Sequence, residues 1–266
     1  MRLAVAGAAG RMGRTLARVI HEGEGVELVA GFERTGSALL GADFGDLAGI
    51  GSIGIIVSDD IQGAIGQFDA IIDFTTPAST IKIANYASSH GFVHVIGTTG
   101  LSEQEEAIID QAAQNTVIIK SGNMSMGVNL LAALVKQAAN SLGLDFDIEI
   151  LEMHHRAKVD APSGTALLLG EAAAVGRGIE LSKHSIRSRD GQTGARPSGD
   201  IGFANLRGGS VVGDHTVIFA GNGERLELTH RAENRDIFAR GAVKAAKWAF
   251  GRKAGRYDMA DVLGIK

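Results

Sequence analysis

No cysteine occurs anywhere in the 266 residues. The chain therefore has no disulfide frame, thiol nucleophile or thiolate metal ligand, and it suits a reducing compartment. The expected location is cytoplasmic. Proline is nearly as scarce, at 3 residues, and aromatics make up only 5%, so the core has to be built from small aliphatic side chains. No run of eighteen or so apolar residues is present to span a membrane. Met1-Arg2-Leu3-Ala4-Val5-Ala6-Gly7 reads directly as a strand and turn, with no targeting stretch ahead of it. An excess of positive charge is missing too. The formal net charge of -4 gives no nucleic-acid footprint, so neither nucleic acid nor membrane is an expected partner.

Glycine, by contrast, is abundant at 37 residues, in a chain that is 45% hydrophobic and 21% charged. This composition points to many tight strand-to-helix turns, and the length allows two modest domains, each with its own core. Leu3 to Ala6 is a short apolar strand, and Leu16, Val19 and Ile20 follow at helical spacing. Between them lies Gly7-Ala8-Ala9-Gly10-Arg11-Met12-Gly13. A glycine triad in a strand-turn-helix context permits a tight turn, close approach of backbone to a pyrophosphate, and close packing of helix on sheet. A second strand, Val26 to Phe32, ends at Glu33, 20 residues beyond Gly13. An acid there is the expected partner of adenosine ribose hydroxyls, and the adjacent Arg34 suits a 2′-phosphate. NADH and NADPH are both expected cofactors.

Three more apolar strands end in small polar residues. Phe68 to Phe74 runs into Thr75-Thr76-Pro77, with Ser79 a candidate helix cap. Phe92 to Ile96 runs into Gly97-Thr98-Thr99-Gly100, and Thr116 to Lys120 into Ser121-Gly122-Asn123-Met124. In a parallel sheet such ends lie along one crest, where a dinucleotide binds. Gly97, Thr98, Thr99, Ser121, Gly122, Asn123 and Met124 are therefore candidate nicotinamide and ribose contacts. Gly36 to Ser52 shows no clean period and no readable role.

Beyond a long helix expected over Ser125 to Leu142, the texture changes. Asp147-Ile148-Glu149-Ile150 alternates as a half-buried strand. Ser185 to Arg189, Ile201 to Arg207, Val211 to Ala220 and Arg225 to His230 read as strands between Gly-rich turns, which implies a mostly antiparallel sheet. The Asp190 to Gly202 connection is long for a hairpin and reads as a lid or a subunit contact. Asn234 to Phe250 returns to helical spacing and is expected to pack back on the first domain. The fold class expected is α/β, with a Rossmann-type parallel sheet domain and an inserted α+β domain. The boundaries are 1–125 with 236–266 for dinucleotide binding, and 126–235 for substrate binding and oligomerisation.

The densest chemistry lies in His154-His155-Arg156-Ala157-Lys158-Val159-Asp160-Ala161-Pro162-Ser163-Gly164-Thr165. Two imidazoles and an amine hold anions and deliver protons near neutral pH. Ser163 caps an expected helix whose first amides, at Gly164 and Thr165, suit a carboxylate. No metal site is expected, because no cysteine or well-spaced acid completes one. His215 and His230 read as core or interface histidines. From these residues alone, a dehydrogenase of amino or keto dicarboxylates and a nucleotide-sensing protein both remain open.

The glycine turn, Glu33-Arg34, Gly97-Thr98-Thr99-Gly100, the Glu152 to Thr165 segment and the ending Tyr257-Asp258-Met259-Ala260-Asp261-Val262-Leu263 together resemble the 4-hydroxy-tetrahydrodipicolinate reductase family. Some relatives carry an arginine between Thr and Pro where this chain has Thr76, which leaves the choice between NADH and NADPH open. The resemblance implies NAD(P)H binding by Gly7, Ala8, Ala9, Gly10, Arg11, Met12, Glu33, Gly97 to Thr99 and Ser121 to Met124. It also implies His154 and Lys158 as the catalytic pair, and His155, Gly164 and Thr165 as holders of a small dicarboxylate substrate. It further implies a homotetramer built through the second sheet, and a role in lysine and diaminopimelate synthesis. In the mechanism expected, hydride goes to ring C4 of a cyclic imine, Lys158 supplies a proton and His154 orients or relays it. Closure about segments near Ser125 and Asn234 is expected to assemble the site.

Overall fold

The computed structural model describes residues 1–265, so Lys266, the last residue of the expected 236–266 segment, lies outside the described residues. The chain divides into two compact units, Met1–Met126 with Asp236–Gly264, and Gly127–Arg235.

The first unit is a six-stranded parallel sheet with helices on both faces. Its strands are β1 (Arg2–Ala6), β2 (Glu27–Phe32), β3 (Ala70–Asp73), β4 (Val93–Ile96), β5 (Val117–Lys120) and β11 (Gly255–Tyr257). They lie side by side in the order β11-β5-β4-β3-β1-β2. The chain leaves β1 toward β2 on one side and resumes at β3 on the other, so the strand order reverses beside β1. Such a switch point is where an open α/β sheet forms its ligand crevice. Because both faces are covered, the strands are mostly apolar rather than alternating. Leu3, Val5, Ile72, Val95 and Ile119 face α1 (Arg11–His21) and α7 (Asp236–Ala249), while Ile71, Ile96 and Ile118 face α3 (Pro77–His90) and α4 (Glu103–Ala112).

Helix boundaries follow local chemistry. Helix α3 begins at Pro77, the first position, where a missing N–H costs nothing; Ser79 therefore lies inside the helix and is not its cap. Helix α4 opens on a capping box between Ser102 and Glu105. The unreadable Gly36–Ser52 stretch contains α2 (Phe44–Ala48), whose Phe44 is fully buried. The Asp43 carboxylate accepts from the amides of Gly45, Asp46, Ile53 and Gly54 and from the Ser52 hydroxyl. Although burial works against its charge, these donors hold Asp43 at about 2. The C-terminal β11 and α8 (Met259–Leu263) complete the first unit. Arg256 of β11 pairs with Glu106 and Asp110 of α4.

The second unit packs α5 (Met126–Leu142) and α6 (Gly164–Arg177) on one face of a five-stranded sheet. The strands are β6 (Asp147–His154), β7 (Ser185–Ile186), β8 (Ile201–Arg207), β9 (Gly213–Ala220) and β10 (Arg225–Ala232), in the order β10-β9-β6-β8-β7. This sheet is mixed, which corrects the mostly antiparallel arrangement expected from the sequence. Strand β9 runs antiparallel to β6 and β10, but β8 is parallel to both β6 and β7. The cause is connectivity: α6 carries the chain across the face between β6 and β8, and a crossover returns it parallel. Strand β7 has only two residues, not the five expected, because the chain leaves the sheet after Ile186. The 187–200 connection is a second crossover, strapped down by Arg196. That guanidinium bonds Glu149, Asp147 and the carbonyls of Ile148 and Asp200.

Gly241 in α7 lies against the Met124 carbonyl so closely that a β-carbon there would overlap it. A helical Gly→Ala change ordinarily stabilises by about 1 kcal/mol. Here the sign should reverse: Gly241→Ala is expected to destabilise by about 1–3 kcal/mol through overpacking, measured by chemical denaturation.

Candidate active site

In the first unit, the C-terminal ends of β1, β2 and β3 open on a cleft of about 620 Å³, lined among others by Gly7, Gly10, Glu33, Arg34 and Lys82. The turn that forms its floor depends on glycine. Gly7 has φ +79°, and a β-carbon at Gly13 would overlap the Gly7 carbonyl. Within the turn, the amides of Gly7 and Ala8 donate to the Phe32 carbonyl, that of Gly10 to Gly7, and that of Ala9 to Glu33 Oε2 at 3.1 Å. The amides of Arg11 and Met12 open α1, where first-turn N–H groups have no helical partner. Anion binding at this turn thus falls to the helix start. Glu33 holds the turn through one oxygen and the Arg34 amide through the other, at 3.0 Å.

Further along the crest, the ends of β3 and β4 are tied together by Asp73, which is wholly buried. Its carboxylate accepts from the amide and hydroxyl of Thr75 at 3.0 and 2.6 Å, from the hydroxyls of Thr98 and Thr80 at 3.3 and 2.7 Å, and from His94 Nε2 at 3.2 Å. Burial pushes the Asp73 carboxyl up, but His94 and the threonines outweigh it and hold it below the usual carboxylate range. Gly97 leaves room for the Phe74 ring, and the Ser121 amide reaches the Ile96 carbonyl at 3.4 Å. The segments at 7–13, 97–99 and 121–124 therefore share one crest. Two residues on it are committed inward: the Thr98 hydroxyl serves Asp73, and Met124 packs in the core, 1% exposed. Met124 has only backbone to offer a ligand.

In the second unit, the alternation of β6 decides which side chains go inward. Ile148, Ile150, Glu152 and His154 share the buried face. Glu152 accepts from His154 Nδ1 at 2.5 Å, from both terminal nitrogens of Arg207 at 2.8 Å, and from the Ser163 amide at 3.2 Å. Burial favours its neutral acid, but Arg207 and His154 together hold it below the usual range. Ser163 caps α6, its hydroxyl accepting from the Ala166 amide and facing His215 Nε2 at 3.0 Å. The rings of His154 and His215 meet edge to face with centroids 5.0 Å apart. Burial, then the neighbouring His154, pushes His215 down to about 4. Burial lowers His154 as well, against the pull of Glu152.

The expected reacting residues are thereby placed. His154 ends β6, Gly164 and Thr165 open α6, and Ser163 and Glu152 join the two. Lys158 lies in the turn after β6, its Nζ held by both Asp160 oxygens at 2.7 and 2.9 Å. Its partner is thus an anion. His155 stands apart from this network, with Nε2 3.4 Å from an Arg235 nitrogen.

Residues 1–124 match the family described as dihydrodipicolinate reductase, N-terminus, and residues 127–263 match its C-terminus. The chain belongs to the dihydrodipicolinate reductase family. It is 64% identical over 265 residues to the 4-hydroxy-tetrahydrodipicolinate reductase of Afipia carboxidovorans, covering 100% of this chain and 97% of the relative. The enzyme of the same name from Methylocella silvestris is 62% identical, at the same coverage. Among solved structures, a dipicolinate-bound dihydrodipicolinate reductase from a Paenisporosarcina species superposes with a TM-score of 0.77 at 23% identity, covering 98% of each chain.

As a member of this family, the chain is an NAD(P)H-dependent oxidoreductase. The first unit fits such a cofactor on its own geometry: a cleft at the switch point, a turn that side chains would fill, a helix start, and an acid at the end of β2. Sequence reasoning missed Glu152 and Arg207 as site residues and treated His215 only as a core histidine. The signal was present, since an acid and an imidazole occupy the phase of Ile148 and Ile150. Among the described residues no cluster of three or more His, Asp or Glu could hold a metal, and no helix is long and apolar enough to cross a membrane.

The depressed His215 gives a pH prediction. Unfolded, the ring takes a proton near 6.5; folded, only near 4. Acid between those values protonates the unfolded chain alone and favours unfolding. At about 1.4 kcal/mol per pH unit, His215 should cost about 3 kcal/mol of stability between pH 6.5 and pH 4. Denaturation curves at the two pH values should show this loss in the wild type, and a smaller one in His215→Gln.

Proposed function

We propose that this protein reduces 4-hydroxy-tetrahydrodipicolinate to tetrahydrodipicolinate, with loss of water, in lysine and diaminopimelate synthesis. On this reading the first unit binds the dinucleotide and the second unit binds the substrate. One observation carries the assignment of roles: the buried Glu152 links His154 directly to the residue that caps α6. A proton-handling ring and a carboxylate-binding helix start are thus held by one group. The relatives' shared name supplies the substrate.

NADH or NADPH, when bound, supplies the hydride to ring C4. Glu33 meets the adenosine ribose, Arg34 a 2′-phosphate, and the Arg11 and Met12 amides the pyrophosphate. Backbone at Gly97 to Thr99 and Ser121 to Met124 lines the nicotinamide end. In the second unit the α6 start at Gly164 and Thr165, with His155, holds the substrate carboxylates. Lys158 leaves Asp160 and donates a proton at the ring nitrogen side, and His154 orients or relays it. The 4-hydroxyl departs as water with a proton from the adjacent ring carbon, by elimination before the hydride arrives, so that hydride and the Lys158 proton together complete the reduction. A cytoplasmic homotetramer is part of the same reading. It is supported by β10, which ends the second sheet with a free edge and exposes Leu226.

The test is a coupled assay: aspartate semialdehyde and pyruvate with a dihydrodipicolinate synthase, then this protein with NADH or NADPH. Nicotinamide absorbance should fall only with every component present. Lys158→Ala should lower kcat by about 10² to 10⁴ with the fold retained; near-normal kcat would remove the residue from the mechanism. A protein that binds NADH yet oxidises none would overturn the substrate assignment.

The two cofactors separate in a second variant. Arg34→Ala is expected to raise KM for NADPH at least about 10-fold, the value of one charge-assisted contact, and to leave KM for NADH within about twofold. Initial rates with each cofactor measure this.

A further inference from the structure

The step outlined above uses His154 but leaves the carboxylate behind it without a role. Glu152 is only 1% exposed, on a sheet face that it and His154 share with Ile148, Ile150, Val217 and Phe219. An ionised acid in such a place survives only when every lone pair is occupied. Arg207 alone would neutralise it, through two bonds of 2.8 Å in a fork geometry. Two further donors converge on the same oxygens, His154 Nδ1 and the Ser163 amide. Charge balance does not require either of them. Arg207 also reaches on to the Asp160 carbonyl at 2.7 Å, in the loop that carries Lys158.

We propose that Glu152 is a positioning residue, holding His154 in the tautomer protonated at Nδ1, with Nε2 left as its acceptor, and fixing the α6 start beside that ring. The inference rests on the roles of His154 and α6 proposed above. An ionised carboxylate only accepts hydrogen bonds, so Nδ1 must carry the proton and the lone pair falls on Nε2. The opposite strand keeps that nitrogen open: a β-carbon at Gly213 of β9 would stand 2.9 Å from Nε2. The ionisable groups facing the ring are Glu152 on its own strand, Arg207 on β8, His215 on β9 and Lys158 in the following loop. Glu152 is the anion among them, and its removal leaves the ring beside cations.

The direct test is nitrogen NMR of the uniformly ¹⁵N-labelled protein, with the His154 ring assigned by comparison with His154→Gln. The wild type should show a ring protonated at Nδ1. Glu152→Gln should mix the tautomers, lower the ring's titration point by about 1 to 2 pH units, and reduce kcat about 10²-fold. The affinity for NADH alone should stay near the wild-type value. A wild-type ring protonated at Nε2 overturns the proposal, whether or not the variant folds. So does a Glu152→Gln protein with unchanged ring titration and kcat within about twofold. Failure of the underlying reading looks different: His154→Gln would be fully active while the wild-type ring still showed the Nδ1 proton.

Discussion

An ionised carboxylate removed from water must find every partner within the protein, and in the second unit Glu152 meets that demand by drawing four segments to one point. The strand that carries it, the parallel strand beside it, the cap of α6 and the loop behind Lys158 are all reached within two hydrogen bonds. Breaking one partner of such a group is costly, because a desolvated charge is left behind. The arrangement is therefore held as a whole, and His154 and the α6 start inherit its precision. His154 gains a fixed orientation that a solvent-exposed imidazole would lack.

The first unit solves a similar problem at its own crest. Asp73 ends β3 and gathers Thr75, Thr80, Thr98 and His94, so the turns after β3 and β4 are oriented by one buried group. Within these turns the hydroxyls of Thr75 and Thr98 point inward to Asp73, while Thr76 and Thr99 are exposed. Small polar residues at strand ends are thus only partly ligand contacts. The same Thr98 that reads as a cofactor residue is, by its side chain, part of the scaffold.

Much of this fold was legible because its signals are local. The apolar strands of the first unit, the glycine turn and the acid at the end of β2 were each read from spacing alone, and the strands appear within a residue or two of their expected ends. What escaped depends on partners distant in sequence. Strand β11 has three residues and exists because β5 and the α4 acids receive it. The Gly36–Ser52 stretch has no period, since a single carboxylate, Asp43, organises it. The second sheet read as mostly antiparallel because Gly-rich turns separate its strands, yet direction is set by where α6 and the 187–200 crossover deliver the chain, which turn composition does not encode. In the site, histidines and lysine draw attention by their chemistry, whereas Glu152 is identified only by its phase on β6.

Gly213 opens β9, a strand otherwise built of alternating inward side chains. At that place the inward side chain is missing, and the space belongs to the His154 ring nitrogen. The room at that ring nitrogen is thus set by what a neighbouring strand omits. Any side chain introduced there during drift or engineering would compete with the His154 ring for the same volume, so the position acts as a filter on which sequences can keep that ring in place while keeping the sheet.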